Sequence, residues 1–388
     1  MPAESIVSEA STETRPGRPQ QMATRIIFLL SGFAMSAWAP LVPFVKLRLD
    51  ISAGTLGLLL LCLGAGSTFS MPLTGYLTGR FGCKPVIILA TVILCLDLPL
   101  LTLMNTPIGM ALALLVFGMS IGMVDVAMNV HAVVVEKASG RAMMSGFHGF
   151  FSIGCILGAL AVSGMLTLNL SPLIASLVVI ALVLVSLLRI SKDFWQDTRR
   201  KSGEPMLVMP RGWVIFLGLL CFVMFLSEGA MLDWSALFLT EARGVNPDHA
   251  GLGYTLFAVA MTIGRLTGDR TVNYFGRFKV LLVGSLAASL GLLLAVGIDN
   301  LYALAIGFVM VGMGAANLVP IMFSAAGNQT AMPANLAIAS VTTLGYAGIL
   351  AGPALVGFIA QLSDLSFALG CVAVLLLLVT ASARAVTR

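Results

Sequence analysis

Two carboxylates, Glu228 and Asp233, lie within Val214–Leu239, a run otherwise apolar enough to cross a bilayer. A third, Asp125, occupies a similar run with Asn129 one turn later. An ionisable side chain at the centre of a spanning helix costs about 2.5–3.5 kcal/mol or more, so it persists where it faces a watery interior or a partner. The chemistry such groups offer is proton exchange. A carboxyl enclosed in low dielectric in one state and wetted in another takes up a proton and later releases it. Arg265 is a base inside a span, with Asp269 four residues on. That spacing reads most simply as a gate or helix-end ion pair; the alternative is that Arg265 reaches inward, to balance Glu228 or to receive an anionic solute.

Helix geometry separates these groups. Glu228 is about 22 Å into its span, just past the bilayer middle, and Asp233 is some 7 Å further. The two are about 140° apart around the helix and cannot serve one spot. Glu228 is therefore expected to carry the proton, and Asp233 with Trp234 to hold the outer half of the helix by hydrogen bonds to another span. In the run containing Asp125, residues Gly118, Gly122, Asp125, Asn129 and Ala132 fall within about 60° of one another, a small polar stripe expected to face a cavity. Close helix packing by the glycines is the plainer reading. His148 is a candidate for proton or solute contact, while His131 and Asp97 read as structural.

The elements that must position these groups follow from composition. The chain has 388 residues, 59% hydrophobic and 10% charged, with a mean hydropathy of +1.01. A soluble domain is roughly a quarter charged, which excludes that class. Continuous apolar runs such as Val178 to Leu188 exclude a β-barrel and leave an all-α membrane protein. Twelve spans are expected near 24–45, 53–78, 86–104, 109–132, 143–166, 171–189, 213–239, 250–269, 279–298, 301–325, 336–361 and 365–383. Lys and Arg crowd one set of loops, including those with Arg80, Lys84, Lys137, Arg141, Arg199, Arg277 and Lys279, whereas the opposite loops hold Lys46, Arg48 and Arg243. By the positive-inside rule both termini are cytoplasmic. The net charge of +5 is thus spent on topology, and no nucleic-acid partner is implied. Expected divisions are a flexible tail at 1–23, a first six-helix bundle at 24–189, a linker at 190–212, a second bundle at 213–383 and a tail at 384–388.

The halves echo one another. Arg80-Phe81-Gly82-Cys83-Lys84 returns 194 residues later as Tyr274-Phe275-Gly276-Arg277-Phe278, and Trp38 and Trp234 are 196 apart. Repeated halves around a midplane site are a carrier architecture. Gly75-Tyr76-Leu77-Thr78-Gly79-Arg80-Phe81-Gly82-Cys83-Lys84 resembles the loop signature of the major facilitator superfamily, with Gly79 at its acidic position; Asn273 falls there in the second half. The resemblance is strongest to the bacterial YbjJ-type branch related to fucose permeases, through Gly118 to Asn129 and Ser227 to Trp234. It implies two pseudo-symmetric six-helix bundles in the bacterial inner membrane and proton-coupled transport of a small polar solute. By the same resemblance Asp125 takes part in proton coupling, and Arg80, Asp269, Asn273 and Arg277 belong to a gate. Trp38 and Asn317 belong to cavity-lining spans and join Asn129, His148 and Arg265 as candidate solute contacts, with Pro40, Pro43 and Pro320 as hinges.

Other classes lack their residues. There is no CxxC, Cys/His cluster, Walker loop or Gly-x-Ser-x-Gly elbow, so no metal, cofactor, ATP-driven pump or enzyme is expected. The expected partners are a small-molecule solute, protons and the bilayer. Gly348, Gly352, Pro353 and Gly357 resemble an antiporter signature in the wrong span, so drug/proton antiport is the alternative and a non-transporting membrane sensor a third class.

Overall fold

The computed structural model describes residues 17–195, 208–246, 249 and 251–387, so residues 1–16 of the expected tail, 196–207 of the expected linker and Arg388 lie outside the described residues. Fourteen α-helices occur among the described residues: α1 Arg18–Ser36, α2 Val42–Leu49, α3 Ala53–Phe81, α4 Cys83–Leu103, α5 Pro107–Ser139, α6 Met144–Thr167, α7 Pro172–Ile190, α8 Trp213–Leu237, α9 Leu252–Phe275, α10 Arg277–Gly297, α11 Leu301–Ala315, α12 Leu318–Asn328, α13 Ala334–Leu362 and α14 Leu365–Val386. With α1 joined to α2 and α11 to α12, eleven spans are long and apolar enough to cross a membrane. The twelfth, α9, has 24 residues but carries Arg265, Asp269 and Arg270.

Two spans are broken where proline removes backbone donors. Between α1 and α2 the chain forms a short 3-10 turn at Ala39–Leu41, with Pro40 inside it and Pro43 in the first turn of α2. Between α11 and α12 it breaks at Ala316 and Asn317, with Pro320 in the next turn. Proline is tolerated in a first turn because its missing N–H has no partner there anyway. Helices also outrun their apolar cores. The first helix starts at Arg18 rather than 24, because the extended Gly17 precedes it and the Gln20 side chain accepts the Gly17 N–H at 2.8 Å. The α5 helix continues to Ser139, seven residues past 132, and α14 to Val386, past 383.

The packing repeats between halves. In the first, α1 pairs with α6, α3 with α5 and α4 with α7; in the second, α8 pairs with α13, α9 with α11 and α10 with α14. Glycine permits these approaches. A Cβ on Gly154 would strike the Leu29 carbonyl of α1, one on Gly118 the Leu63 carbonyl of α3, and one on Gly348 the Phe222 carbonyl of α8. Arg48 and Arg243, 195 residues apart, do the same work in each half. Arg48 donates to the carbonyls of Leu101, Thr102 and Met104 at the end of α4, and Arg243 to those of Ala295 and Val296 at the end of α10. Both satisfy terminal carbonyls and the negative end of a helix dipole. His131 is structural, as expected: its Nε2 accepts the Trp195 N–H at 3.0 Å and its Nδ1 meets the Thr24 hydroxyl at 3.3 Å, tying the chain after α7 to α1 and α5.

Between the halves, α3 lies on α13 and α6 on α9. Gly154→Val would force α1 from α6, and overpacking of this kind costs about 1–3 kcal/mol. The expected result is a lower thermal midpoint in detergent with unchanged helical content by circular dichroism.

Candidate functional site

The site is built on one face of α6. His148 and Ser152 are one turn apart, and the Ser152 hydroxyl also bonds back to the His148 carbonyl at 3.2 Å. His148 Nε2 lies 3.2 Å from Asn129 Oδ1 on α5. The Asn129 amide nitrogen donates to the Asp125 carbonyl at 2.9 Å and to its carboxylate at 3.3 Å. Because that amide is spent on Asp125, Asn129 offers its oxygen to His148, which assigns the proton to Nε2. His148 is gripped by aromatics, with Phe323 stacked at 5.8 Å and Phe28 edge-on at 5.3 Å.

One turn along, Ser152 accepts a hydrogen bond from Arg265 of α9 at 3.1 Å. Arg265 Nη2 lies 3.4 Å from both carboxylate oxygens of Glu228 on α8. This buried pair is loose, since charge-assisted N–H···O bonds are typically about 2.7–2.9 Å. Arg265 Nε is buried without a hydrogen-bond partner. Tyr346 of α13 lies within interaction range of Asp125 and Glu228, and Tyr254 of α9 within range of Glu228, Arg265 and Asp233. The two acids therefore approach one platform from different halves. Asp233 and Tyr254, toward the end opposite the termini, are exposed.

Several expectations are corrected. Arg265 does not pair with Asp269; it turns inward to Glu228, because Asp269 is taken by the backbone of α6. Asp233 makes no hydrogen bond or ion pair among the described residues, and Trp234 instead holds its helix by laying its ring on Gly357 of α13. The glycines of the span-four stripe face α3 rather than a cavity, with Ser67 also donating to the Gly118 carbonyl at 2.9 Å. Trp38 is buried against Phe117, 6.4 Å between ring centroids, with its N–H unpartnered and no bond to the polar chain. Asn317 sits against Gly268 and Ser145, near the termini end of the bundle.

That end is where the halves are tied. Asp269 Oδ1 accepts the Gly146 N–H at 2.8 Å, and a Cβ on Gly146 would strike Asp269. Asn273 makes two 3.0 Å bonds with the Ala142 backbone, one as donor and one as acceptor. Arg277 pairs with Glu136 of α5 at 3.1 Å, while Glu136 also accepts from the backbone of Met143 and Met144 and from Ser324 of α12. On the pseudo-symmetric side, Asn335 of α13 donates to the Gly75 carbonyl and packs against Gly79. Arg80 takes no part; it bonds Tyr76 of its own helix at 3.0 Å and lies over the Phe81 ring. Glu136, Asn335, Ser152, Tyr254 and Tyr346 were not among the sequence candidates. The signals available were an acid before the basic loop at Lys137 and hydroxyl residues among apolar ones.

Twelve spans in two related halves, with acids of both halves converging on one platform, define a membrane transporter. The chain belongs to the Major Facilitator Superfamily, whose profile matches residues 26–238 and 216–387. It is 61% identical over 374 residues to an uncharacterised MFS-type transporter of Yersinia pestis, covering 96% of this chain and 97% of that one. An uncharacterised transporter of Sinorhizobium fredii is 36% identical over 338 residues, 86% and 89% of the two chains. The solved fucose:proton symporter of E. coli superposes with a TM-score of 0.79 at 16% identity, covering 95% of this chain and 98% of that one.

Gly146→Ala places a methyl where Asp269 docks and should open the tied end. In a background lacking native cysteines, Ser145→Cys, buried in this structure, should then react with a maleimide several-fold faster; an unchanged rate would mean that the contact does not hold this end closed.

Proposed function

We propose that the chain is a secondary active carrier moving a small polar solute, a sugar or polyol, across the bacterial inner membrane, with protons carried by Glu228 and Asp125. The observation that carries this reading is the single face of α6 on which His148 meets the Asn129–Asp125 pair and Ser152 meets the Arg265–Glu228 pair. A change at either acid is felt by the same helix, the geometry a coupled carrier requires. Glu228 has two ways to be satisfied inside the membrane, Arg265 or a proton. A proton on Glu228 releases the guanidinium N–H groups to a solute oxygen while Ser152 keeps Arg265 in place.

The solute class follows from the groups offered. His148, Ser152, Tyr254 and Tyr346 present mixed donors and acceptors beside aromatic rings, with Asn129 behind them orienting His148, which suits hydroxyl groups that both give and accept. Arg265 is the one guanidinium among these groups, which suits a neutral solute better than a polyanion. The Lys- and Arg-rich termini end is the cytoplasmic end. On that orientation the structure is closed to the cytoplasm, and Arg277, Asp269, Asn273, Glu136 and Asn335 form the inner gate. The fold likeness to a fucose:proton symporter agrees with this reading without carrying it. The glycine ridge of α13 lends antiport no support, because Gly348, Gly352 and Gly357 are used in packing on Phe222, Leu226 and Trp234 of α8.

A thermal-shift screen against sugars, polyols, amino acids, organic acids and lipophilic cations at two pH values tests the reading, since a ligand of the folded state raises its stability. Stabilisation by a sugar or polyol is expected, pH-dependent in the native chain and pH-independent in Glu228→Gln. Stabilisation by lipophilic cations alone would replace uptake by efflux antiport. Arg265→Lys keeps a charge but loses the planar fork that spans Ser152 and Glu228, and should weaken binding of the same solute about tenfold, the worth of roughly one charge-assisted bond. Equal affinity would remove Arg265 from the solute site.

A further inference from the structure

A recess of about 1220 Å³ lies outside the central site, between α1, α6 and α9 near the termini end. It exceeds the roughly 300–1,000 Å³ of small-molecule pockets, so it has room for a headgroup and the first part of its chains. Three guanidinium groups, Arg25, Arg141 and Arg270, line it against one carboxylate, Asp269, leaving an excess of two positive charges. Among the described residues, neither Arg25 nor Arg270 has a carboxylate within ion-pair reach. Arg25 lies over the Phe150 ring at 6.0 Å, and Arg141 donates to Gln21 at 2.9 Å.

The recess also opens onto a lipid-facing surface. Ile263, Leu266, Arg270 and Tyr274 follow one another at three- and four-residue spacing down a single face of α9, and all four are exposed. That face runs from apolar residues to an arginine and an aromatic side chain, as a bilayer runs from acyl chains to the headgroup region, where both of those residue types settle. Met22 of α1, also exposed, continues the apolar wall on the other side.

The geometry points to a binding site for an anionic phospholipid, its phosphate among Arg25, Arg141 and Arg270 and its acyl chains along Ile263 and Leu266. Basic pockets between spanning helices bind anionic headgroups by charge, while the apolar continuation separates a lipid from a soluble phosphate. The site does not depend on what the carrier transports. Ala142, Gly146, Asp269 and Asn273 line both the recess and the tie between the halves, so an occupant would brace the closed end.

Native mass spectrometry of the full chain released from a neutral detergent tests this with phosphatidylglycerol, phosphatidylcholine and inorganic phosphate as separate probes. Phosphatidylglycerol is expected to be retained roughly tenfold more strongly than phosphatidylcholine, from the added attraction of clustered basic side chains. Arg25→Gln/Arg141→Gln/Arg270→Gln should remove that preference. The single Arg270→Gln, an exposed change without folding consequence, should reduce it. Equal retention of the two lipids, an undiminished preference in the triple variant, or displacement of the lipid by millimolar phosphate alone would overturn the proposal.

Discussion

The structure turns on one ion pair. Arg265 and Glu228 are enclosed by apolar helices, where a lone charge is costly and a matched pair much less so. Neither is held by its own helix. Arg265 comes from α9, Glu228 from α8, and Ser152 completes the arrangement from α6 of the other half. The α8 helix is fixed by glycine contacts with α13, and α9 by glycine contacts with α11 and α6. Tight backbone packing within each half thus sets a pair that is itself loose.

At the termini end the same principle works with mostly neutral groups. The α9 side chain Asp269 reads the backbone of α6 and Asn273 that of Ala142 just before it, whereas on the opposite side the α13 side chain Asn335 reads the backbone of α3. Position 269 corresponds to 75 and 273 to 79 by the 194-residue offset. The polar side chains have therefore changed places between helices while the contact between them is kept. Glycine at 79 is what lets Asn335 approach, which accounts for the missing acid of the loop signature. Glu136 adds the charged contact, with Arg277 on one side and two backbone N–H groups on the other.

Much of this was legible in the sequence because bilayer cost is a strong filter. It leaves few charges inside spans, so Asp125, Glu228 and Arg265 stood out at once, and the basic loops fixed the alternation of helices. Partner choice was not legible. Arg265 had Asp269 on its own helix and Glu228 on another, and spacing alone favoured Asp269; only the three-dimensional approach of Gly146 shows that Asp269 is taken. Glu136 follows Val133–Val135 directly and stands beside Lys137, so with the expected span ending at 132 a buried acid read as part of a solvated loop, whereas the helix runs on to Ser139. Gly118 and Gly122 share a helical face with Asp125 within the tolerance of a wheel, yet the close approach of α3 claims the glycines and leaves Asp125 to α13 and Asn129.

The central claim is that Glu228 exchanges a proton as the solute crosses. The direct measurement is an external pH recording on vesicles containing the chain, lightly buffered, while the stabilising solute enters down its own gradient. The account predicts alkalinisation outside that keeps pace with uptake, and its disappearance in Glu228→Gln while solute exchange continues. Solute entry with no pH change, or the same change in the variant, would contradict it.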